Sequence, residues 1–176
     1  MEQRISIFGA ALDALSSPER INLKTAYLNY LKNKRLNQKE LKDPYDFVKS
    51  RVTGNKLLNI VNNRIRWAGK IFVPSWLTPK PSIHDLPKLS TERLDNFLKS
   101  DGCWKYASAI ADYINKEIYP SMPVMIGVDH SLTGGSIMAL VKKFPNLNVI
   151  ILDAHFDVMN KDSQTCLLYT SDAADE

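Results

Sequence analysis

The amino-acid sequence predicts an α/β domain built on a largely parallel sheet. Two short apolar runs, residues 123–126 and 148–152, flank residues 136–144, whose apolar side chains recur at helical spacing. Continuous apolar runs are typical of parallel strands that helices cover on both faces. A strand–helix–strand unit joins parallel strands by a right-handed crossover. We therefore expect the two runs to be neighbouring strands of one sheet.

The composition is that of a globular protein and argues against several classes of partner. The 176 residues suffice for one domain with a core, and 44% hydrophobic and 24% charged residues are ordinary proportions. The net charge of +4 comes from dispersed lysines and arginines, without the basic stripe and interleaved aromatics of a nucleic-acid-binding protein. No apolar run approaches the ~18 residues of a membrane span.

The cysteines and the N-terminus indicate a cytoplasmic setting. Cys103 and Cys166 are too few for a disulfide framework. The first ten residues lack the apolar core and the cleavage site of a signal peptide. We therefore expect a reduced protein that stays in the cytoplasm.

The first half of the chain is expected to begin with a strand and a helix. Residues 4–8 contain β-branched side chains and form the predicted strand. Ser16 and Glu19 have capping-box spacing, which predicts a helix over residues 18–34. The inward face of that helix is expected to carry Leu23, Tyr27, Tyr30 and Leu31.

Further elements follow at the expected start and stop signals. Asp43 precedes Pro44 and predicts a second helix, which Gly54 would end. A third helix is expected over residues 57–67 and a short strand over residues 70–73. Four prolines then predict a loop over residues 74–90.

The second half is expected to be helical up to the first apolar run. Residues 90–101 have a serine cap and an apolar face, and Gly102 would end this helix. Residues 103–118 show the clearest amphipathic period of the chain. The helix over residues 136–144 then leads to the second apolar run.

Side chains that can bind metal ions follow both apolar runs. Asp129 and His130 follow the first run, and Asp153, His155 and Asp157 follow the second. Alternate residues of an extended segment point the same way, so the last three can aim at one point. Carboxylate and imidazole groups together suit Mn²⁺, Fe²⁺ or Zn²⁺. The sequence therefore predicts a metal site at the carboxyl edge of the sheet.

Two segments resemble motifs of the ureohydrolases, the arginase and agmatinase family. Residues 127–134, GVDHSLTG, are similar to the family's Gly-Gly-Asp-His-Ser motif, and residues 153–157, DAHFD, are similar to its Asp-Ala-His-x-Asp motif. The two motifs are in the family's order. The resemblance covers mainly residues 124–157, and more weakly residues 5–13.

The resemblance implies a fold, a cofactor and a reaction. The implied fold is a three-layer α/β/α arrangement with a mostly parallel sheet. The implied cofactor is a pair of Mn²⁺ ions, with His130 and Asp157 on one ion, His155 on the other and Asp153 bridging both. Asp129 and Ser131 would support these ligands without binding metal.

The implied activity is hydrolysis of a linear guanidino compound, such as agmatine, arginine or a guanidino acid, with release of urea. The attacking group would be a hydroxide held by the ions, and no catalytic side chain is assigned beyond the metal ligands. The implied partner is therefore a small guanidino substrate. The resemblance also makes a homo-oligomer plausible.

The sequence departs from the family pattern at several positions. Val128 stands where the family usually has a second glycine, and Met159 stands where arginases proper usually have asparagine. No second Asp-x-Asp motif follows Asp157. We therefore expect residues 1–165 to be a partial, C-terminally truncated ureohydrolase domain that is inactive by itself. Residues 166–176 follow no strand or helix period and resemble translated adapter sequence, so they are expected to be a non-native tail.

Two other classes remain open at the level of sequence. The arginase fold also resembles that of Zn²⁺ deacetylases of acetylated amines, although the line DHSLTGG argues against that chemistry. The chain could also be a non-catalytic remnant whose motifs no longer serve a reaction. Metal content separates the first two classes, and the remnant predicts no hydrolysis with any metal.

Overall fold

The computed structural model describes residues 4–14, 18–36, 43–55, 64–150 and 152. Within these ranges the strands are β1 (Ile5–Gly9), β2 (Ile65–Lys70) and β3 (Met122–Ile126). The helices are α1 (Pro18–Asn33), α2 (Pro44–Thr53), α3 (Thr91–Lys99), α4 (Gly102–Tyr113) and α5 (Thr133–Val141). Helix α4 continues into a π-helical turn, Ile114–Ile118, and three short 3₁₀ helices lie at Ser75–Leu77, Ile83–Lys88 and His130–Leu132.

The three strands form one parallel sheet in the order β2-β1-β3. Ile5 at the start of β1 is in register with Ile65 of β2 and with Met122 of β3. The strands therefore begin together at one edge of the sheet and end together at the other. This arrangement confirms the predicted α/β class with a parallel sheet.

Helices cover both faces of the sheet, as the predicted α/β/α arrangement requires. Phe8 of β1 points towards α4, where its ring lies 5.6 Å from the ring of Tyr113. On the opposite face, Tyr45 of α2 packs edge-on against Trp67 of β2, with ring centroids 5.6 Å apart. Helix α2 approaches so closely that a Cβ on Gly9 would lie 2.6 Å from the Cβ of Tyr45.

The main core lies between the sheet and α4, and α5 packs on α4. Phe8, Ile110, Ile114, Ile118 and Leu132 are all almost fully buried there. Burying a side chain of this size stabilises the fold by roughly 1.5–3 kcal/mol. This core holds the end of β3 and the beginning of α5 in fixed positions on either side of residues 127–132.

Helix α1 begins and ends close to the predicted positions, but its predicted inward face is wrong in part. Leu23, Tyr27 and Tyr30 are exposed. The buried side chains are Ile21, Leu28 and Leu31, the last two packing against Leu89 in a second small cluster. The helical period fits either face, and the tertiary contact with residues 83–89 selects this one.

Residues 65–67 contradict the predicted third helix, because they open β2. The strand consequently ends at Lys70 instead of starting there. Ile5 N–H donates to Arg64 C=O at 2.9 Å, which joins this segment to β1. Pairing with β1 outweighs the weak helical spacing of the apolar side chains. The remainder of the predicted helix, residues 56–63, lies outside the described ranges.

The predicted strand over residues 148–152 is wrong for the part that the structure describes. Residues 148–150 and 152 have no regular secondary structure, and β3 pairs there with β1 alone. Val149, Ile150 and Leu152 are 51%, 84% and 95% exposed. Such exposure is the opposite of what an apolar strand inside a covered parallel sheet would show.

The contact between α4 and α5 gives the first prediction. A Cβ on Gly135 would lie 2.5 Å from Ala107 C=O and 2.9 Å from Ala107 Cα. Glycine-to-alanine changes inside helices normally stabilise by ~0.5–1 kcal/mol. Here Gly135→Ala should instead destabilise by about 1–3 kcal/mol, because rigid backbone must move apart.

Urea unfolding followed by circular dichroism measures this change. Ser108→Ala, an exposed substitution on α4, is the matched control and should stay within about 0.5 kcal/mol of the wild type. A Gly135→Ala protein as stable as the control would contradict the close packing of the two helices.

Candidate metal centre

The carboxyl ends of all three strands meet at one edge of the sheet. Ala10 N–H donates to Ile126 C=O at 3.0 Å, and Ile71 N–H donates to Gly9 C=O at 2.8 Å. These bonds continue the ladder one residue past each strand end. In open α/β sheets this edge is where ligands bind.

Asp129 shapes the turn that follows β3. Its backbone is extended, with φ −146° and ψ −175°, and it caps the 3₁₀ helix His130–Leu132. Its Oδ1 accepts a hydrogen bond from Ser131 N–H at 2.9 Å. A carboxylate that caps its own turn fixes the direction of the next side chain, which is His130.

His130 lies at the start of this turn and is half-buried. Its Nδ1 lies 3.3 Å from Thr133 Oγ1 at the first residue of α5. Two elements, the Asp129 cap and the α5 terminus, thus hold the imidazole near the carboxyl edge. An imidazole held in this way can act as a metal ligand.

Two oxygen atoms beside His130 are buried without a hydrogen-bond partner among the described residues. They are Asp129 Oδ2 and Ser131 Oγ. Buried side-chain oxygens almost always have a partner, and leaving one unpaired costs roughly 1–3 kcal/mol. The turn is therefore suited to a further polar group, such as a metal ligand that needs support.

Three of the four predicted ligands lie outside the described residues. These are Asp153, His155 and Asp157, so the structure does not test whether they meet His130. Among residues 4–14, 18–36, 43–55, 64–150 and 152, no three His, Cys, Asp or Glu side chains converge on one point. The chemistry of the donor set fits a metal, and only His130 has a described position.

Asp13, in the loop after β1, takes part in a buried ion pair. Its carboxylate lies 2.6 Å from Lys24 Nζ, and the two side chains are only 6% and 14% exposed. Asp13 N–H donates to Leu77 C=O at 2.8 Å, and Lys24 Nζ lies 3.3 Å from Thr78 C=O. The pair thus ties α1 to the loop after β2.

Sequence reasoning missed a crevice of about 880 Å³ at the same edge of the sheet. It is lined by the ends of β1 and β2 and by the start of α2. Lys70 there lies 2.5 Å from Asp43 and 2.7 Å from Asp46, and these hydrogen bonds raise the pKa of Lys70. Asp43 was identified only as a helix cap, because its lysine partner is 27 residues away and no spacing links them.

Comparison with known proteins bears on this geometry. The model of the arginase family matches residues 64–170. That range includes β2, β3, the Asp129 turn and the predicted Asp153 array. The chain belongs to the arginase family.

The remaining comparisons add no relative to this arginase-family chain. Neither the curated proteins nor the solved structures contain a match. None of the described helices combines the length and the apolarity that crossing a bilayer demands. The family match and the parallel sheet together bear out the resemblance that the two motifs carry.

The buried ion pair gives the second prediction. Lys24→Met leaves the Asp13 carboxylate buried without its cation, which should lower the free energy of unfolding by about 3–5 kcal/mol. Lys116→Met is the control, because it breaks the exposed pair of Lys116 and Asp112, whose 3.3 Å contact should contribute under ~1 kcal/mol. Equal losses in the two variants, measured by urea unfolding, would refute a structural role for the buried pair.

Cys103, in α4 behind the Asp129 turn, gives the third prediction. Burial raises the pKa of its thiol to about 12, and the negative charge of Asp129 adds to the shift. The folded protein should react with iodoacetamide at pH 8 at least a hundredfold more slowly at Cys103 than the urea-unfolded chain, because the thiolate is the reactive form. Peptide mass spectrometry reads Cys103 separately from Cys166.

The same shift has a consequence for stability. From the unfolded thiol pKa of roughly 8.5 up to pH 12, the unfolded chain releases a proton that the folded chain retains. The contribution of Cys103 to stability is therefore complete below that range and falls as the pH rises. In the labelling experiment, equal rates of reaction of Cys103 with iodoacetamide in the folded and unfolded protein would contradict the buried position of the thiol.

Proposed function

We propose that this arginase-family chain supplies part of a dinuclear Mn²⁺ centre that hydrolyses a linear guanidino compound and releases urea. The proposed ligands are His130, Asp153, His155 and Asp157. The substrate would be agmatine, arginine or a guanidino acid. The bound ions would supply a water of lowered pKa as the nucleophile.

The observation that carries the proposal is the turn after β3. It presents His130 at the carboxyl edge of a parallel sheet, and it buries Asp129 Oδ2 and Ser131 Oγ beside it without partners among the described residues. A turn of this kind has unused capacity for hydrogen bonds to the groups around an ion. Support of this sort orients metal ligands and raises their affinity.

Each residue of the turn has a distinct part in the proposal. Asp129 orients the backbone through its bond to Ser131 N–H, and Thr133 orients the imidazole of His130. Ser131 Oγ would donate to a carboxylate ligand. Cys103 stays neutral at physiological pH, since its pKa is about 12, and so adds no competing thiolate next to the site.

The guanidino carbon is planar and electron-poor, so the reaction depends on holding it against the nucleophile. Positioning of this kind can account for a large part of the barrier reduction. The adjacent crevice opens on the same edge, and Ile126 of β3 forms part of its wall. It could admit the aliphatic part of such a substrate.

The setting of the protein is also part of the proposal. We propose a cytoplasmic protein that acts on a small molecule, with neither nucleic acid nor membrane as a partner, and that can form homo-oligomers. The dispersed charges and the two cysteines support this setting.

The fourth prediction tests the metal site directly. His130→Ala should weaken Mn²⁺ binding at least tenfold in isothermal titration calorimetry, because it removes the proposed ligand in the turn after β3. His84→Ala, an exposed histidine in the 3₁₀ helix Ile83–Lys88, should bind as the wild type does. Unchanged affinity in His130→Ala would refute the site.

Activity provides the second measurement. Urea release over a panel of guanidines with Mn²⁺, from a chain that completes the ligand set, should be lost in His130→Ala and Asp153→Ala but retained in His84→Ala. One tightly bound Zn²⁺ with release of acetate from acetylated amines would favour a deacetylase. Mn²⁺ binding that depends on His130 without hydrolysis of any guanidine would favour a non-catalytic remnant.

A further inference from the structure

A second cavity lies at the amino edge of the sheet, opposite the proposed metal centre. Its volume is about 430 Å³. Arg4, Arg64 and Arg66 line one side, and the residues from Glu117 to Ser121, after α4, line the other. Among the described residues, the lining holds three arginines and a single carboxylate, that of Glu117.

The strand register places two of these arginines side by side. Arg4 and Arg64 directly precede Ile5 and Ile65, which are partners in the β1–β2 pairing. Ile5 N–H donates to Arg64 C=O at 2.9 Å, and Met122 N–H donates to Arg4 C=O at 2.8 Å. Adjacent strands lie about 4.8 Å apart, so the two backbones hold these side chains within reach of one ligand.

Arg66 also lines the cavity. Its Nε donates to Ser6 Oγ at 3.1 Å, and its Nη2 donates to Glu117 C=O. Ser6 and Arg66 are partners in register, and side chains two residues apart on a strand share a face. Ser6 and Arg66 therefore belong to the face of the sheet that α4 covers, and Arg4 and Arg64 line the cavity just before the two strands begin.

Such a group of arginines is suited to binding an oxyanion. The guanidinium group is always charged and offers a rigid fork of N–H donors that fits phosphate oxygens in pairs. Two forks held at one strand spacing can grip a tetrahedral anion from two sides. A shared anion also offsets the repulsion between the like charges of the neighbouring side chains.

We propose that the cavity between Arg4, Arg64 and the 117–121 segment binds the phosphate group of a small molecule. The site lies at the opposite end of β1 from the Asp129 turn. The five residues of β1 span roughly 16 Å at about 3.3 Å each. A ligand here therefore does not occupy the metal centre, and the inference is independent of the proposed hydrolysis.

The experiment is a calorimetric titration of the full chain with pyrophosphate and with inorganic phosphate, at constant ionic strength set with sodium chloride. The wild type should show saturable binding of both. Arg4→Gln and Arg64→Gln should each weaken it at least tenfold, and the double variant should not bind. Arg51→Gln removes an equal charge from α2, outside the lining of the cavity, and should stay within twofold of the wild type.

Conservative variants separate the effect of the paired N–H donors of arginine from the effect of its positive charge. Arg4→Lys and Arg64→Lys keep the charge but lose the paired donors, so they should bind between the wild type and the glutamine variants. Circular dichroism and the melting temperature of each variant establish that it is folded. If a glutamine variant unfolds, the two lysine variants take its place in the binding test.

Three results would overturn the proposal. They are no saturable binding by the wild type, an equal loss in Arg51→Gln, and succinate bound more tightly than pyrophosphate in an Arg4-dependent manner. The last result would assign the cavity to a carboxylate. None of these measurements uses guanidine hydrolysis, so they stand or fall separately from the proposed function.

Discussion

The parallel register of the three strands is the constraint on which the rest of the structure depends. Ile5 is aligned with both Ile65 and Met122, so the strands begin at one edge and end at the other. The carboxyl edge thereby receives the Asp129 turn, and the amino edge receives three arginines. The two edges of the sheet therefore carry different kinds of side chain, because parallel strands have all their carboxyl ends at one edge and all their amino ends at the other.

Packing turns this register into fixed side-chain positions. The almost fully buried Leu132 anchors the end of the 3₁₀ helix in the core, while Gly135 allows α5 to approach Ala107 of α4. Between them, the Asp129 carboxylate accepts a hydrogen bond from Ser131 N–H. The imidazole of His130 is consequently attached to rigid elements on both sides, which is the condition under which a ligand keeps its geometry without the metal.

Sequence reasoning identified the fold class and most helices, because capping residues and helical periods are local signals. It placed α1, α2, α3, α4 and β3 within a few residues of their observed bounds. It failed at residues 65–67 and 148–150, where tertiary pairing decides between strand and other conformations. The wrong inward face of α1 has the same origin, since an amphipathic period does not say which neighbour will cover it.

The candidate site, like the fold, could be predicted from the sequence only in part. The motif around Asp129 and His130 was identified from residue types and order, and the family match supports it. The meeting of His130 with Asp153, His155 and Asp157 stays a prediction. The crevice beside Lys70 and the arginine cavity could not be predicted, because their members are brought together by strand pairing across dozens of residues.

A crystal structure of the protein grown with Mn²⁺, with anomalous scattering collected at the manganese edge, tests the central claim most directly. We expect an anomalous peak about 2 Å from a ring nitrogen of His130, with Asp153, His155 and Asp157 supplying further ligands. A manganese peak bound elsewhere, with His130 directed away from it, would contradict the account.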